Sequence, residues 1–176
     1  MLLLKIKTYN IMLYKFLSSI TLLFLCVIGT AQSLQTWTWD TYKIEFKAPN
    51  DLDLKKNDAT QFEAGNSNMY LDIYPRKGEN LTYSGMKNAL IKWANDLNLS
   101  YSSTNTDGDS QPIYLDNLNG YWGCAIDGKS ESGLPATIML IVDPDYTNIS
   151  FYVWINYAHE YYHDAVQVLK SFTPIK

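Results

Sequence analysis

Three stretches in the second half of the chain decide its fold, and they read Tyr121-Trp-Gly-Cys-Ala-Ile-Asp-Gly-Lys129, Pro135-Ala-Thr-Ile-Met-Leu-Ile-Val142 and Asn148-Ile-Ser-Phe-Tyr-Val-Trp-Ile-Asn-Tyr157. The first stretch alternates, which places Trp122, Cys124 and Ile126 on one face of a strand. The other two are apolar on both faces, as is typical of central strands that are covered on both sides. Turn residues at Asp143–Thr147 join them. The sequence therefore predicts the centre of a sheet.

Two amphipathic helices are predicted, one before these strands and one after them. Within residues 83–97 and 159–172, apolar side chains recur three and four positions apart, the spacing of one helix face. The two stripes comprise Met86, Ala89, Leu90, Trp93 and Leu97 in the first helix and Tyr162, Ala165, Val166, Leu169 and Phe172 in the second. Each helix therefore has one apolar face to bury against the sheet.

Earlier strands complete the expected architecture. The stretches Thr36–Asp40 and Tyr42–Lys47 alternate, while Thr60–Ala64 and Met69–Tyr74 flank the turn residues of a hairpin. Strands in meanders, combined with two separated helices, predict an α+β fold. We expect a mostly antiparallel sheet with two main helices, arranged as an α/β/α sandwich.

Residues 1–31 have the layout of a secretory signal peptide. Three lysines precede an apolar run at residues 16–28, and Gly29-Thr-Ala31 supplies small residues for a cleavage site before Gln32. The run is shorter than the roughly twenty residues that a helix needs to cross a bilayer. We therefore predict a signal peptide at 1–31, a single domain at 32–176, and a secreted or periplasmic protein with no membrane span after cleavage. The start codon, Met1 or Met12, stays open.

Charge and cysteine content argue against further classes of protein. Three of the fourteen basic residues and none of the eighteen acidic residues lie in residues 1–31, so the remaining chain carries a net charge of −7. An acidic surplus argues against a nucleic-acid partner. Cys124 is the single cysteine after residue 31, which excludes an intrachain disulfide. Thirteen lysines to one arginine, with fourteen asparagines, indicate an AT-rich bacterial genome.

The order of elements is similar to that of the PsbP-like superfamily. The leading strand ends Ile44-Glu-Phe-Lys-Ala-Pro49, and the closing helix ends Val168-Leu-Lys-Ser-Phe-Thr-Pro174, in the Ser-Phe-x-Pro pattern of that superfamily. The resemblance covers residues 36–174 and identifies the chain as a secreted bacterial member. It implies a PsbP-like α/β/α sandwich that binds other proteins, as members bind photosystem subunits and a nuclear-transport GTPase. Most members are not enzymes, and no family binding residue matches here.

One motif points to a different chemistry. His159-Glu-Tyr-Tyr-His163 fits H-E-x-x-H, in which two histidines of one helix face hold Zn²⁺ and the glutamate polarises a bound water. Catalytic zinc needs a third protein ligand, and none of the residues after His163 is His, Glu or Cys. A zinc-dependent peptidase with Glu160 as the catalytic residue and His159 and His163 as metal ligands is therefore the first alternative. A solvent-facing helix start explains the same residues.

Aromatic side chains on the predicted central strands offer a second alternative. Trp122, Tyr152 and Trp154 lie on adjacent strands, and an exposed aromatic surface marks a protein or carbohydrate partner. Helices that cover both sheet faces would bury them instead. The main prediction is a non-enzymatic binding or accessory domain, with another protein as its partner and no cofactor. A carbohydrate-binding accessory domain that uses these aromatics is the second alternative.

Overall fold

A seven-stranded antiparallel sheet forms the centre of the computed structural model, which describes residues 33–101 and 111–175 except for the side chains of Asp116 and Asn117. The order of its strands is β3-β4-β5-β9-β8-β7-β6. These strands are β3 (Asp53–Asn57), β4 (Phe62–Gly65), β5 (Met69–Lys77), β6 (Ile113–Leu118), β7 (Tyr121–Lys129), β8 (Pro135–Val142) and β9 (Ile149–Tyr157). The predicted signal peptide and residues 102–110, which follow the first helix, lie outside the described residues.

A second, three-stranded sheet joins the two ends of the described chain. Strand β1 (Leu34–Trp39) and the short β10 (Thr173–Pro174) both pair antiparallel with β2 (Ile44–Pro49). The alternation predicted for β2 is present, since Ile44 and Phe46 are both fully buried. This sheet packs over the larger one, and its inward side chains join the same apolar cluster as those of β4, β5 and β9.

The two helices cover opposite faces of the seven-stranded sheet. Helix α1 (Met86–Asp96) packs on β7 and β8, and α2 (Tyr162–Lys170) packs on β2 and β9. Each helix is preceded by a single 3₁₀ turn, Tyr83–Gly85 and His159–Tyr161. The α+β class, the mostly antiparallel sheet and the α/β/α arrangement are therefore confirmed.

Alternation along the central strands divides the apolar side chains into two cores. In β8 and β9, Met139, Ile141, Val153 and Ile155 face α2 and the three-stranded sheet. Their neighbours in sequence, such as Ile138 and Leu140, face α1. Burying a side chain of this size contributes roughly 1.5–3 kcal/mol, so each face is held by many such contributions.

Candidate binding sites

The aromatic residues singled out from the sequence lie on the α1 face. Tyr152 is only 2% exposed, and the Trp93 ring of α1 stands perpendicular to it at a centroid distance of 4.9 Å. Its hydroxyl donates to Glu79 Oε2 at 3.0 Å, and the Arg76 guanidinium lies 4.1 Å from its ring centroid. Tyr152 thus acts as a packing residue, because both its ring and its hydroxyl are already engaged.

The two tryptophans of this group, Trp122 and Trp154, remain partly exposed. Trp122 packs edge-on against Tyr83, the first residue of the turn before α1, at a centroid distance of 5.8 Å. Trp154 lies beyond Trp93 at 6.5 Å and lines an open groove next to Leu97. The structure therefore brings Tyr152 and Trp154 together on β9, with Trp122 further away on β7.

The H-E-x-x-H residues lie at the start of α2. His159 and Glu160 belong to the 3₁₀ turn, His163 belongs to the first turn of the helix, and all three side chains are exposed. In residues 33–101 and 111–175, no group of three or more His, Cys, Asp or Glu side chains is placed to hold a metal ion.

Beside α1, the same sheet face remains open over β4 and β5. We call this surface the tyrosine face and define it by Glu63, Tyr70, Asp72, Tyr74 and Trp154. Strand pairing brings these residues together, because Asp72 lies opposite Glu63 on one side and opposite Trp154 on the other. Helix α1 packs on β7 and β8, so it leaves this part of the face accessible.

Asp72 is the centre of the tyrosine face. Its side chain is 3% exposed, and the Gln61 amide nitrogen Nε2 donates to its Oδ1 at 2.8 Å. The hydroxyls of Tyr70 and Tyr74 both donate to its Oδ2, the first at 3.4 Å. Burial raises the pKa of Asp72 above its ordinary value, although these hydrogen bonds act in the opposite direction. The carboxylate thus holds two tyrosine rings in fixed positions.

Charged side chains surround the two rings. The Lys55 ammonium lies 3.9 Å from Glu63 Oε1 and 4.8 Å from the Tyr70 ring centroid. Tyr74 remains 39% exposed, so its ring contributes surface despite the hydrogen bond to Asp72. Tyrosine, tryptophan and a charged rim are the composition of protein-protein interfaces. The arrangement is suited to binding, with aromatic rings fixed from below by a carboxylate.

This surface was not predicted from the sequence, although Met69–Tyr74 was predicted to be a strand. The signal was present in the alternation Tyr70-Leu-Asp-Ile-Tyr74, in which three polar residues share one face.

Solved structures match this chain in fold, at sequence identities too low to show more than the fold. A Mog1 point mutant matches with 9% identity and a TM-score of 0.51, over 82% of this chain and 97% of that chain. The Ran-binding protein Mog1p of Saccharomyces cerevisiae also matches with 9% identity and a TM-score of 0.51, over 83% and 97%. A protein from Bacteroides thetaiotaomicron has 14% identity and a TM-score of 0.47, over 82% of this chain and 49% of its own.

These structures correct the family resemblance drawn from the sequence. No protein-family model matches the chain, and no curated protein sequence matches it. The assignment to a PsbP-like family was wrong as made, because the solved structures that match include the Ran-binding protein Mog1. The motif at Ile44–Pro49 coincides with β2, and the motif at Val168–Pro174 runs from the end of α2 through β10. What the chain shares with the two Mog1 structures is their α+β fold.

Proposed function

We propose that the chain is a non-enzymatic binding domain that acts in the periplasm or outside the cell and binds another protein through the tyrosine face. The observation that carries the proposal is the pair of tyrosine rings held over the buried Asp72 carboxylate, on a part of the sheet beside the area that α1 covers. Rings that are fixed before binding lose little conformational entropy when a partner docks.

Two further points support protein binding. One matching structure is named as a Ran-binding protein, so this fold is used elsewhere to bind a protein. The Trp154 ring belongs to the tyrosine face and the Arg76 guanidinium lies at its border, and Tyr, Trp and Arg dominate the binding energy of protein interfaces. The partner is expected to contribute a flat or convex surface, since the face is a sheet rather than a cleft.

The test uses a photoreactive amino acid in the producing cells. Benzoyl-phenylalanine in place of Tyr74 is expected to give a discrete crosslinked species on irradiation. The same substitution at Tyr162 is the matched control, because that tyrosine is 43% exposed against 39% for Tyr74 and lies on α2. Equal crosslinking from both positions, or none from Tyr74, would contradict the proposal.

The compartment needs its own measurement. We expect the protein to appear in the periplasmic or extracellular fraction with an intact mass that begins at Gln32, because the Gly29-Thr-Ala31 site is cleaved there. Among residues 33–101 and 111–175, no helix is long and apolar enough to span a membrane. A cytoplasmic protein that retains residues 1–31 would overturn this part of the proposal.

A further inference from the structure

The outer edge of β1 lacks the features that protect the other sheet edges of the described chain. Exposed edges are normally blunted by charged residues, proline, register shifts or a short strand. Strand β3 carries Lys55, Lys56 and a register shift, β6 also has a register shift, and β10 is two residues long and ends in Pro174. Strand β1 reads Leu-Gln-Thr-Trp-Thr-Trp over six residues, with no charge, no proline and an unshifted register. It is therefore a template on which another strand can pair.

The backbone groups on this edge are directed away from β2. The Asn50 N–H donates to the Ser33 carbonyl at 3.1 Å, and by the alternation of an antiparallel ladder Gln35 also directs its N–H and carbonyl toward β2. The alternate residues Leu34 and Thr36 direct theirs to the opposite side, where β1 pairs with no other strand in residues 33–101 and 111–175. A strand added on that side would satisfy these groups.

The absence of charge from β1 favours a second copy of the same strand as the occupant. Antiparallel pairing about a two-fold axis sets the central residue opposite its own copy and brings its neighbours close to theirs, so charged residues would repel each other. Lys55 and Lys56 would do so on β3, whereas β1 has no charged residue. Because the chain after residue 31 carries a net charge of −7, two copies approach most easily through an uncharged strand. A strand adapted to a different protein can instead carry charges that complement its partner.

Asn57 sets the centre of the pairing. Its Nδ2 donates to the Thr38 carbonyl at 3.3 Å, so the open part of the edge runs from Leu34 to Thr36. A two-fold axis at Gln35 sets Leu34 of one copy opposite Thr36 of the other, and the outward backbone groups of both residues then pair. The exposed Gln35 carboxamide meets its own copy, and since it has both donors and an acceptor, the two side chains can hydrogen-bond each other. The edge therefore complements itself.

We propose that two copies of the chain associate by antiparallel pairing of their β1 strands, with the two-fold axis at Gln35. The three-stranded sheets of the two copies then form one continuous sheet. The paired segment is short, so the dimer is weak and its population rises with protein concentration. The pairing does not depend on the tyrosine face, because that face and the three-stranded sheet lie on opposite sides of the seven-stranded sheet.

The test is disulfide trapping with protein purified from cells that express the full chain. Cys124 is fully buried, so Gln35→Cys in a Cys26→Ser background introduces one accessible thiol. Directly opposed residues of this pair lie about 4.5 Å apart between Cα atoms, within the range that a disulfide spans. Mild oxidation is expected to convert the variant to a covalent dimer with twice the mass of one chain. Lys55→Cys in the same background is the matched control, because it lies at an exposed position of the β3 edge.

A second variant tests the pairing without a covalent bond. Gln35→Lys places two like charges opposite each other and is expected to raise the dissociation constant of the dimer about five-fold in sedimentation velocity. Thr41→Lys, the same change of charge at an exposed residue of the β1–β2 turn, should leave that constant unchanged.

Four outcomes would overturn the proposal. The Gln35→Cys variant stays monomeric on oxidation, or Lys55→Cys forms the covalent dimer equally well. Alternatively, Gln35→Lys leaves the association unchanged, or Gln35→Cys is trapped in the producing cells only with a different protein, which would assign the edge to that protein.

Discussion

At the scale of single residues, Asp72 makes the stability of the protein depend on pH. Burial raises its pKa in the folded state, whereas an aspartate in the unfolded chain titrates near about 3.9. Between these two pKa values the folded state binds more protons than the unfolded state. The free energy of unfolding is therefore expected to fall as pH rises through this window.

The variant Asp72→Asn tests this dependence. It keeps an oxygen that accepts a hydrogen bond and removes the titration, so the stability of the wild type relative to the variant should decrease as pH rises above about 3.9. Urea unfolding of both proteins at a series of pH values measures the difference. A difference that is constant with pH would show that Asp72 is not responsible.

The thiol of Cys124 is expected to be inert in the folded protein. The side chain is fully buried in the core on the α1 side, and burial raises the pKa of the thiol to about 11. Since the thiolate is the reactive form, a thiol reagent at neutral pH should label Cys124 only after unfolding. Mass spectrometry of the peptide that contains Cys124, with and without urea, measures this. Rapid labelling in native buffer would contradict the burial.

At the scale of elements, the start of α2 decides how the H-E-x-x-H motif is interpreted. Glu160 and Asp164 are acidic side chains near the amino-terminal end of the helix, where the helix dipole favours negative charge. We expect the purified protein to contain far less than one equivalent of zinc after incubation with the metal. The double variant His159→Ala/His163→Ala should melt at the same temperature as the wild type.

Metal analysis of both proteins checks this prediction. Near-stoichiometric zinc in the wild type that disappears in a still-folded double variant would revive the peptidase hypothesis. Zinc that is equal in the two proteins would locate any metal elsewhere.

Some elements could be predicted from the sequence, and the reason is physical. The bounds of β7 and β8 match the prediction, because turn residues flank both stretches, β7 alternates and β8 is a short apolar run rich in branched side chains. Strand β3 was missed because it is an edge strand whose residues are mainly polar and exposed. Strand β6, the opposite edge, was missed as well. Because β3 faces solvent, it lacks the alternating apolar residues by which a strand is recognised in a sequence.

The binding sites were harder to predict than the strands. The environment of Asp72 depends on Gln61, which lies eleven positions earlier, and on strand pairing that no local pattern specifies. Tyr152 was a sequence candidate for binding, yet a helix and two charged residues occupy its surface.

At the scale of the whole molecule, the core on the α2 side depends on the last residues of the chain. Phe172 is fully buried and stacks on Phe46 at a centroid distance of 4.9 Å. The Asn119 amide nitrogen Nδ2 donates to the Phe172 carbonyl at 3.0 Å, which fixes the segment after the helix. The carboxyl end is thus an integral part of the fold.

Phe172→Ala is therefore expected to lower the free energy of unfolding by about 3–5 kcal/mol, because it leaves a cavity between the two sheets. Tyr162→Ala, at an exposed position of α2, should change it by no more than about 0.5 kcal/mol. Urea denaturation of the two variants measures both values. A small effect at Phe172 would show that this core can repack.

The pairing of β10 with β2 has a consequence for how the chain folds. Thr173 lies opposite Glu45, so the three-stranded sheet joins residues from opposite ends of the described range. Contacts so distant in sequence form late. The three-stranded sheet is therefore expected to close only after the hairpins of the seven-stranded sheet have formed.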